Sequence, residues 1–225
     1  MKIKKHLIIA PHPDDEVLGC GGIISKHIQN NEQVYILVLT KGHPKLFSDE
    51  SVKVVRDECL EAHNYLGVTQ TYFLDFPAPA LDTVPLYEIS NKISQLIKEI
   101  KPDTLYLPHR GDIHNDHMLT FKAGLVAARP INHCSVKEIL CYETLSETEW
   151  APPFADDAFI PNVFEDISSS HIYNKCEAMK KFKSQLRPFP SSRSIKTITA
   201  LSEFRGSTVG FSNAEAFMLI RSIKQ

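Results

Sequence analysis

The chain has 225 residues, 43% of them hydrophobic and 23% charged, which suits one globular domain with a real core and leaves little room for two. Lys+Arg of 25 against Asp+Glu of 27 gives a formal charge of -2, without the basic excess of a dedicated nucleic-acid binder. No apolar run approaches the roughly 18–20 residues that span a bilayer, and so apolar a composition excludes a wholly disordered chain.

The basic start, Met1 to Lys5, runs into an apolar stretch, Leu7 to Ala10, that is too short for the core of a signal peptide. The stretch reads as the first strand of a cytoplasmic protein. Pro11-His12-Pro13-Asp14-Asp15-Glu16 follows at once. The two prolines stiffen this turn and remove two backbone donors. Acids at a helix N-terminus favour its dipole, which accounts for one or two carboxylates. Three in a row beside a histidine repel one another, and a bound cation resolves that repulsion. The helix is predicted from near Asp15 to about Asn30. Gly19, Gly21 and Gly22 in its early turns each weaken it by roughly 1 kcal/mol relative to Ala, so they predict close approach to the sheet or to a ligand. Gly19-Cys20-Gly21-Gly22 lacks the spacing of a dinucleotide loop, and the acids beside it would repel a pyrophosphate.

Val34 to Leu39 is predicted as the second strand. Val52, Val55, Cys59, Ala62 and Leu66 form an apolar stripe at helical spacing, stopped by Gly67. Tyr72-Phe73-Leu74 reads as a short strand. Leu86, Ile89, Ile93, Leu96 and Ile100 mark another helix, with Pro102 just past its end. A further strand, Leu105 to Leu107, leads into Pro108-His109-Arg110-Gly111-Asp112-Ile113-His114-Asn115-Asp116-His117. His114 and His117, three apart, are expected on one face of a helical turn. Met118, Phe121 and Leu125 suggest the helix that continues from it, and Ile139 to Tyr142 a fifth strand.

Alternating strands and helices imply an α/β fold with a mostly parallel sheet and helices on both faces. In such a sheet ligands bind beyond the carboxyl ends of strands, so both His/Asp clusters should face one crevice. Composition shifts after Trp150, and Ala151–Phe154 and Leu186–Ser192 read as loops. Residues 1–225 are therefore taken as a single domain, whose residues after about 150 pack on the sheet and supply substrate loops. Trp150 suits a lid, a sugar platform or ordinary packing equally. Arg187 and Arg193 read as solvated surface, with a substrate phosphate as the alternative.

The five cysteines are odd in number and show no Cys-x-x-Cys, so reduced thiols are expected rather than a disulfide framework or a four-cysteine zinc site. Imidazole and carboxylate donors suit Zn2+, and do not exclude Fe2+, Mn2+ or Co2+. A catalytic zinc has three protein ligands and one open position. His12, Asp15 and His117 give that count. Asp14 is left to act as general base. His114, with Asp116 holding its ring in one tautomer, is left to stabilise an oxyanion or protonate a leaving amine as imidazolium.

These two motifs resemble those of the PIG-L/LmbE-like family of zinc-dependent N-acetylglucosaminyl deacetylases. The first is similar to the family's His-Pro-Asp-Asp-Glu signature after the first strand, the second to its later His-x-Asp-His. Arg56-Asp57-Glu58, in the helix ending Leu66-Gly67-Val68, is similar to an Arg/Glu helix of the family. Arg205-Gly206 with Gly210 and Ala214-Glu215-Ala216-Phe217 is similar to its closing segment. The resemblance implies a Rossmann-like three-layer sandwich. It implies His12, Asp15 and His117 as zinc ligands, Asp14 as base, and His114 supported by Asp116 at the tetrahedral intermediate. Arg56 would approach the substrate or the ligand shell, against the plainer reading of an exposed helix residue with an ion-pair partner. The implied activity is hydrolysis of the N-acetyl group of a small amino-sugar derivative, releasing acetate. The rivals are the same machinery acting on another amide, as in a thiol-linked glycoside, or on a phosphoester, and a zinc module that only ties loops together. The partner is a small N-acetylated sugar rather than nucleic acid, no transmembrane segment is foreseen, and homo-oligomers are left open.

Overall fold

The computed structural model describes residues 3–168 and 170–224; Met1 and Lys2 of the basic start lie outside them. Seven strands form one sheet: β1 (Lys5–Ala10), β2 (Gln33–Gly42), β3 (Gln70–Ala78), β4 (Thr104–Pro108), β5 (Glu138–Tyr142), β6 (Val163–Asp166) and β7 (Ala214–Ser222). Their spatial order is β3-β2-β1-β4-β5-β7-β6. β1 to β5 run parallel, with Leu7 beside Tyr35 on one side and Leu105 on the other. β7 is antiparallel to both its neighbours.

Successive side chains of a strand point to opposite faces, and both faces here are covered. Ile8 and Ala10 of β1 join one core with Ile36, Val38, Tyr106 and Tyr142. Leu7 and Ile9 join the other with Leu37, Leu39, Leu105 and Leu107. The first core is closed by α1 (Asp15–Gln29), α2 (Asp49–Leu66), α5 (Ser170–Met179) and α6 (Ile195–Ser207). The second is closed by α3 (Leu86–Ile100) and α4 (Asn115–Ala127). The result is the three-layer α/β arrangement with a mostly parallel sheet that the alternation predicts. Among the described residues no helix is long and apolar enough to cross a membrane.

Local signals explain the helix ends. Ser48 caps α2 by accepting from the Ser51 amide, and Gly67 ends it at φ 83, a conformation that costs glycine little. Gly19 of α1 answers the question its sequence raises. A Cβ there would stand 2.2 Å from the Tyr142 ring on β5. The close approach is thus to the sheet.

The last third holds four elements that its sequence pattern does not announce: β6, β7, α5 and α6. Glu215 shows why. It sits inside β7, yet it is buried, accepting from the amides of Gly22 and Ile23 at 2.8 and 2.7 Å and from Lys175 Nζ at 2.6 Å. Glu215 puts a charge near the head of β7 and interrupts its apolar pattern, leaving Phe217 to Ile220 as the apolar run of the strand.

The chain winds outward from β1 through β2 to β3, then crosses to β4 and winds the other way through β5. The switch point therefore lies between β1 and β4, where a crevice opens beyond their carboxyl ends. Both His/Asp motifs leave the sheet at that point.

Candidate active site

Pro11 follows β1 directly, its carbonyl held by Thr40 through the hydroxyl at 2.7 Å and the amide at 3.2 Å. His12 follows, its amide donating to Asp15 Oδ2 at 2.9 Å. Asp14, the residue before α1, has φ 106 and ψ -27, a left-handed conformation that a non-glycine residue rarely holds. From the other motif, His114 caps α4 and His117 lies in its first turn. Asp15 Oδ2 stands 3.2 Å from His12 Nδ1 and 3.3 Å from His117 Nε2. The centroids of those two rings are 5.5 Å apart. Two stretches a hundred positions apart thus meet around one carboxylate.

The donor set fits a divalent cation. His12, Asp15 and His117 each offer a ligand atom, all within 4.8 Å of one another. His117 Nε2 and Asp15 Oδ1 are buried without a hydrogen-bond partner, as is Asp14 Oδ2. Orphaned buried polar atoms are costly, and here they cluster where a cation would satisfy them. The outer partners are in place too. His117 Nδ1 donates to Asp112 Oδ2 at 2.8 Å, and Asp112 Oδ1 accepts from the Thr148 hydroxyl at 2.6 Å. His12 Nε2 faces Asp116 Oδ2 at 3.1 Å. Carboxylates behind ligating histidines fix ring orientation and tautomer.

Burial opposes charge on both imidazoles, but the carboxylates prevail. Hydrogen bonds to Asp116 and Asp15 raise His12 to about 9, and Asp15 with Asp112 raises His117 to about 10. Burial likewise disfavours charge on Asp15, yet His117 and His12 hold it well below the usual carboxylate range. Two protonated rings thus balance the acids, a charge that a divalent ion can replace. Asp14 behaves differently. Burial pushes it up to about 8 against the pull of Arg193, whose Nη1 lies 3.3 Å from Asp14 Oδ2.

One expectation needs correction. The carboxylate of Asp116 does not hold His114; it turns to His12 and accepts from the Leu81 amide at 3.1 Å. Asp116 fixes His114 through its backbone instead, the Asp116 amide donating to His114 Nδ1 at 3.1 Å. The proton of that ring accordingly sits on Nε2. Burial and then the neighbouring His12 lower His114, which disfavours charge on the ring.

A cleft of about 820 Å³ opens on this cluster, lined by His12, Asp14, His114, Arg56, Glu147 and Arg193 among others. Arg56 is on its wall and also has an ion-pair partner, donating to Leu74 O and Asp75 Oδ1, each at 2.8 Å. Arg193, read from sequence as surface, is at the centre. Its Nε donates to Ser146 Oγ at 2.7 Å and its Nη1 to Gln185 Oε1 at 3.0 Å. Glu147, raised to about 7 by burial, is the other residue that sequence reasoning missed. Its signal was absent, because its site partners lie in other elements. Trp150 is 59% exposed, and Arg187 donates from its guanidinium to Leu186 O and from its amide to Arg193 O.

A family model described as PIG-L, GlcNAc-PI de-N-acetylase, matches residues 7–128, more than half of the chain. This protein belongs to the PIG-L family. The matched segment runs from β1 to the end of α4 and holds His12, Asp14, Asp15, His114, Asp116 and His117. Among PIG-L relatives, the uncharacterized deacetylase YaiS of Escherichia coli K12 is 30% identical over 188 residues, covering 81% of this chain and 92% of the relative. The probable N-acetyl-alpha-D-glucosaminyl L-malate deacetylase 2 of Bacillus anthracis is 28% identical over 184 residues, covering 75% and 81%. The structure of N,N'-diacetylchitobiose deacetylase from Pyrococcus horikoshii shares the fold, with a TM-score of 0.77 at 22% identity over 97% of this chain and 84% of that one.

Proposed function

We propose that this PIG-L protein is a metal-dependent hydrolase that removes the N-acetyl group of an amino-sugar derivative, giving acetate and a free amine. The observation that carries this reading is the donor set of His12, Asp15 and His117, within 4.8 Å of one another, with Asp15 Oδ1 and His117 Nε2 buried and without a hydrogen-bond partner. Family membership and the deacetylase relatives support the reaction class.

His12, Asp15 and His117 would hold the ion, with zinc the first choice for such donors. When bound it supplies Lewis acidity toward an acyl oxygen and makes water a better nucleophile. The remaining steps fall to the chain's own groups. Asp14 takes the proton of the attacking water, and its raised affinity for protons suits that work near neutral pH. His114 presents Nε2–H to the oxyanion of the tetrahedral intermediate. Asp14, now protonated, returns its proton to the departing amine. Arg193, whose Nη1 lies 3.3 Å from Asp14 Oδ2, would help to hold the Asp14 carboxyl in place. Arg56 and the wall bearing Phe47, Val52 and Val55 would receive the rest of the substrate. A cleft of about 820 Å³ leaves room for a sugar and its attached group.

The test is metal analysis of the purified protein, then acetate release across a panel of N-acetylated glycosides. Asp14→Asn should lower turnover by about 10²–10⁴-fold with metal content unchanged. His117→Ala should strip the metal. An Asp14→Asn enzyme at full activity would remove Asp14 from its role. A preference for a non-sugar amide would redirect the substrate class.

A further inference from the structure

We propose that His63, backed by Thr71, is a positioning residue for Asp14: it fixes Glu16, and Glu16 holds the Asp14 backbone in the conformation that presents its carboxyl. The inference rests on the reading of Asp14 as the base.

At φ 106 Asp14 persists only if its surroundings over-determine it. Its carbonyl is taken by the first turn of α1, accepting from the Val17 and Leu18 amides at 3.0 and 2.9 Å. Its amide donates to Glu16 Oε2 at 3.1 Å. That bond fixes the φ side of the residue, so the geometry of Asp14 is only as firm as the Glu16 carboxylate. Glu16 is wholly buried, and its other oxygen lies 2.9 Å from His63 Nε2. A carboxylate accepts, so the proton between them belongs to His63. The opposite ring nitrogen, Nδ1, lies 2.8 Å from Thr71 Oγ1. A line of hydrogen bonds thus runs from β3 through α2 and α1 to the amide of Asp14. Thr71, His63 and Glu16 do not line the cleft; only Asp14, at the end of the line, does.

Glu16, Cys59 and His63 also resemble a second cation site, with donors within 4.8 Å of one another. Two facts weigh against that. Neither Glu16 nor His63 has an orphaned buried atom, unlike Asp15 and His117. Burial, with Glu16 beside it, pushes the Cys59 thiol well above its ordinary value, the reverse of what a thiolate ligand needs.

The experiment uses the full-length, metal-loaded protein with His63→Leu, His63→Gln and Thr71→Val. Readouts are kcat and KM for acetate release, metal per chain, and hydrogen exchange of the Asp14 amide by NMR. His63→Leu should lower kcat by about tenfold or more, because small misplacements of a reacting group are costly, with KM within about twofold and metal unchanged. Its Asp14 amide should exchange faster. Gln can donate to Glu16, so His63→Gln should recover most of the rate, and Thr71→Val should fall between. Wild-type kcat in His63→Leu, kcat and KM moving together, or Gln no better than Leu would overturn the proposal. So would the loss of one of two bound metals. Should His63→Leu fail to fold, Thr71→Val decides alone: lower kcat with faster Asp14 exchange supports the relay, and wild-type values refute it. If no substrate releases acetate from the wild-type protein, the functional reading fails, while amide exchange still reports on the relay.

Discussion

At the scale of single residues, the densest information lies in the two motifs. His12, Asp15 and His117 were legible because each sits in a cluster of donors directly behind an apolar run, and the topology of parallel sheets brings such ends together. Arg193 was not, because its partner Asp14 lies at the other end of the sequence, and a charged residue among serines reads as surface. The exchange of Asp116 from His114 to His12 was equally hidden, since spacing does not reveal which ring a carboxylate meets. Asp112 is the residue whose effect is easiest to isolate. It accepts from His117 Nδ1 and touches none of the other proposed ligands. Asp112→Asn should weaken metal affinity by about 10–100-fold while the fold survives. Competition with a chromophoric chelator measures it, and unchanged affinity would deny Asp112 its orienting role.

At the scale of elements, strands β1 to β5 and helices α1 to α4 follow from their apolar periods, with ends shifted by a few residues. The apolar pattern is interrupted where burial rests on paired charge. β7 is the clear case, its inward Glu215 satisfied by Lys175 and two amides of α1. The glycines of α1 predict close approach, and each has its own neighbour: the Tyr142 ring for Gly19, the Lys175 side chain for Gly21 and Ile167 for Gly22. Gly19→Ala should therefore destabilise the protein by about 1–3 kcal/mol through overpacking, despite the better helix propensity of Ala. Chemical denaturation would show it, and a stabilised variant would mean that the ring yields freely.

At the scale of the whole molecule, the two ends of β1 do different work. Its carboxyl end carries the site. Its amino end carries His6, stacked on His27 of α1 at 3.5 Å, both rings facing Glu32 Oε2 at 3.0 and 2.6 Å. Burial lowers both imidazoles below the ordinary value of 6.5, and each ring's charge would repel the other's. The folded protein thus binds fewer protons here than the unfolded chain once pH drops below about 6.5. Stability from this pair is complete above that pH and is lost as pH falls through it. Between pH 7.5 and 5 the melting temperature of the wild type should fall relative to that of His27→Gln, which lacks this pair. An equally steep decline in that variant would assign the acid sensitivity elsewhere.

The location of Arg193 also orders the making of the molecule. Every proposed donor to the ion is synthesised by residue 117, on segments leaving two neighbouring strands, whereas the guanidinium gripping Asp14 arrives only just ahead of α6. In the order of synthesis, every proposed donor to the ion therefore precedes the guanidinium that meets Asp14.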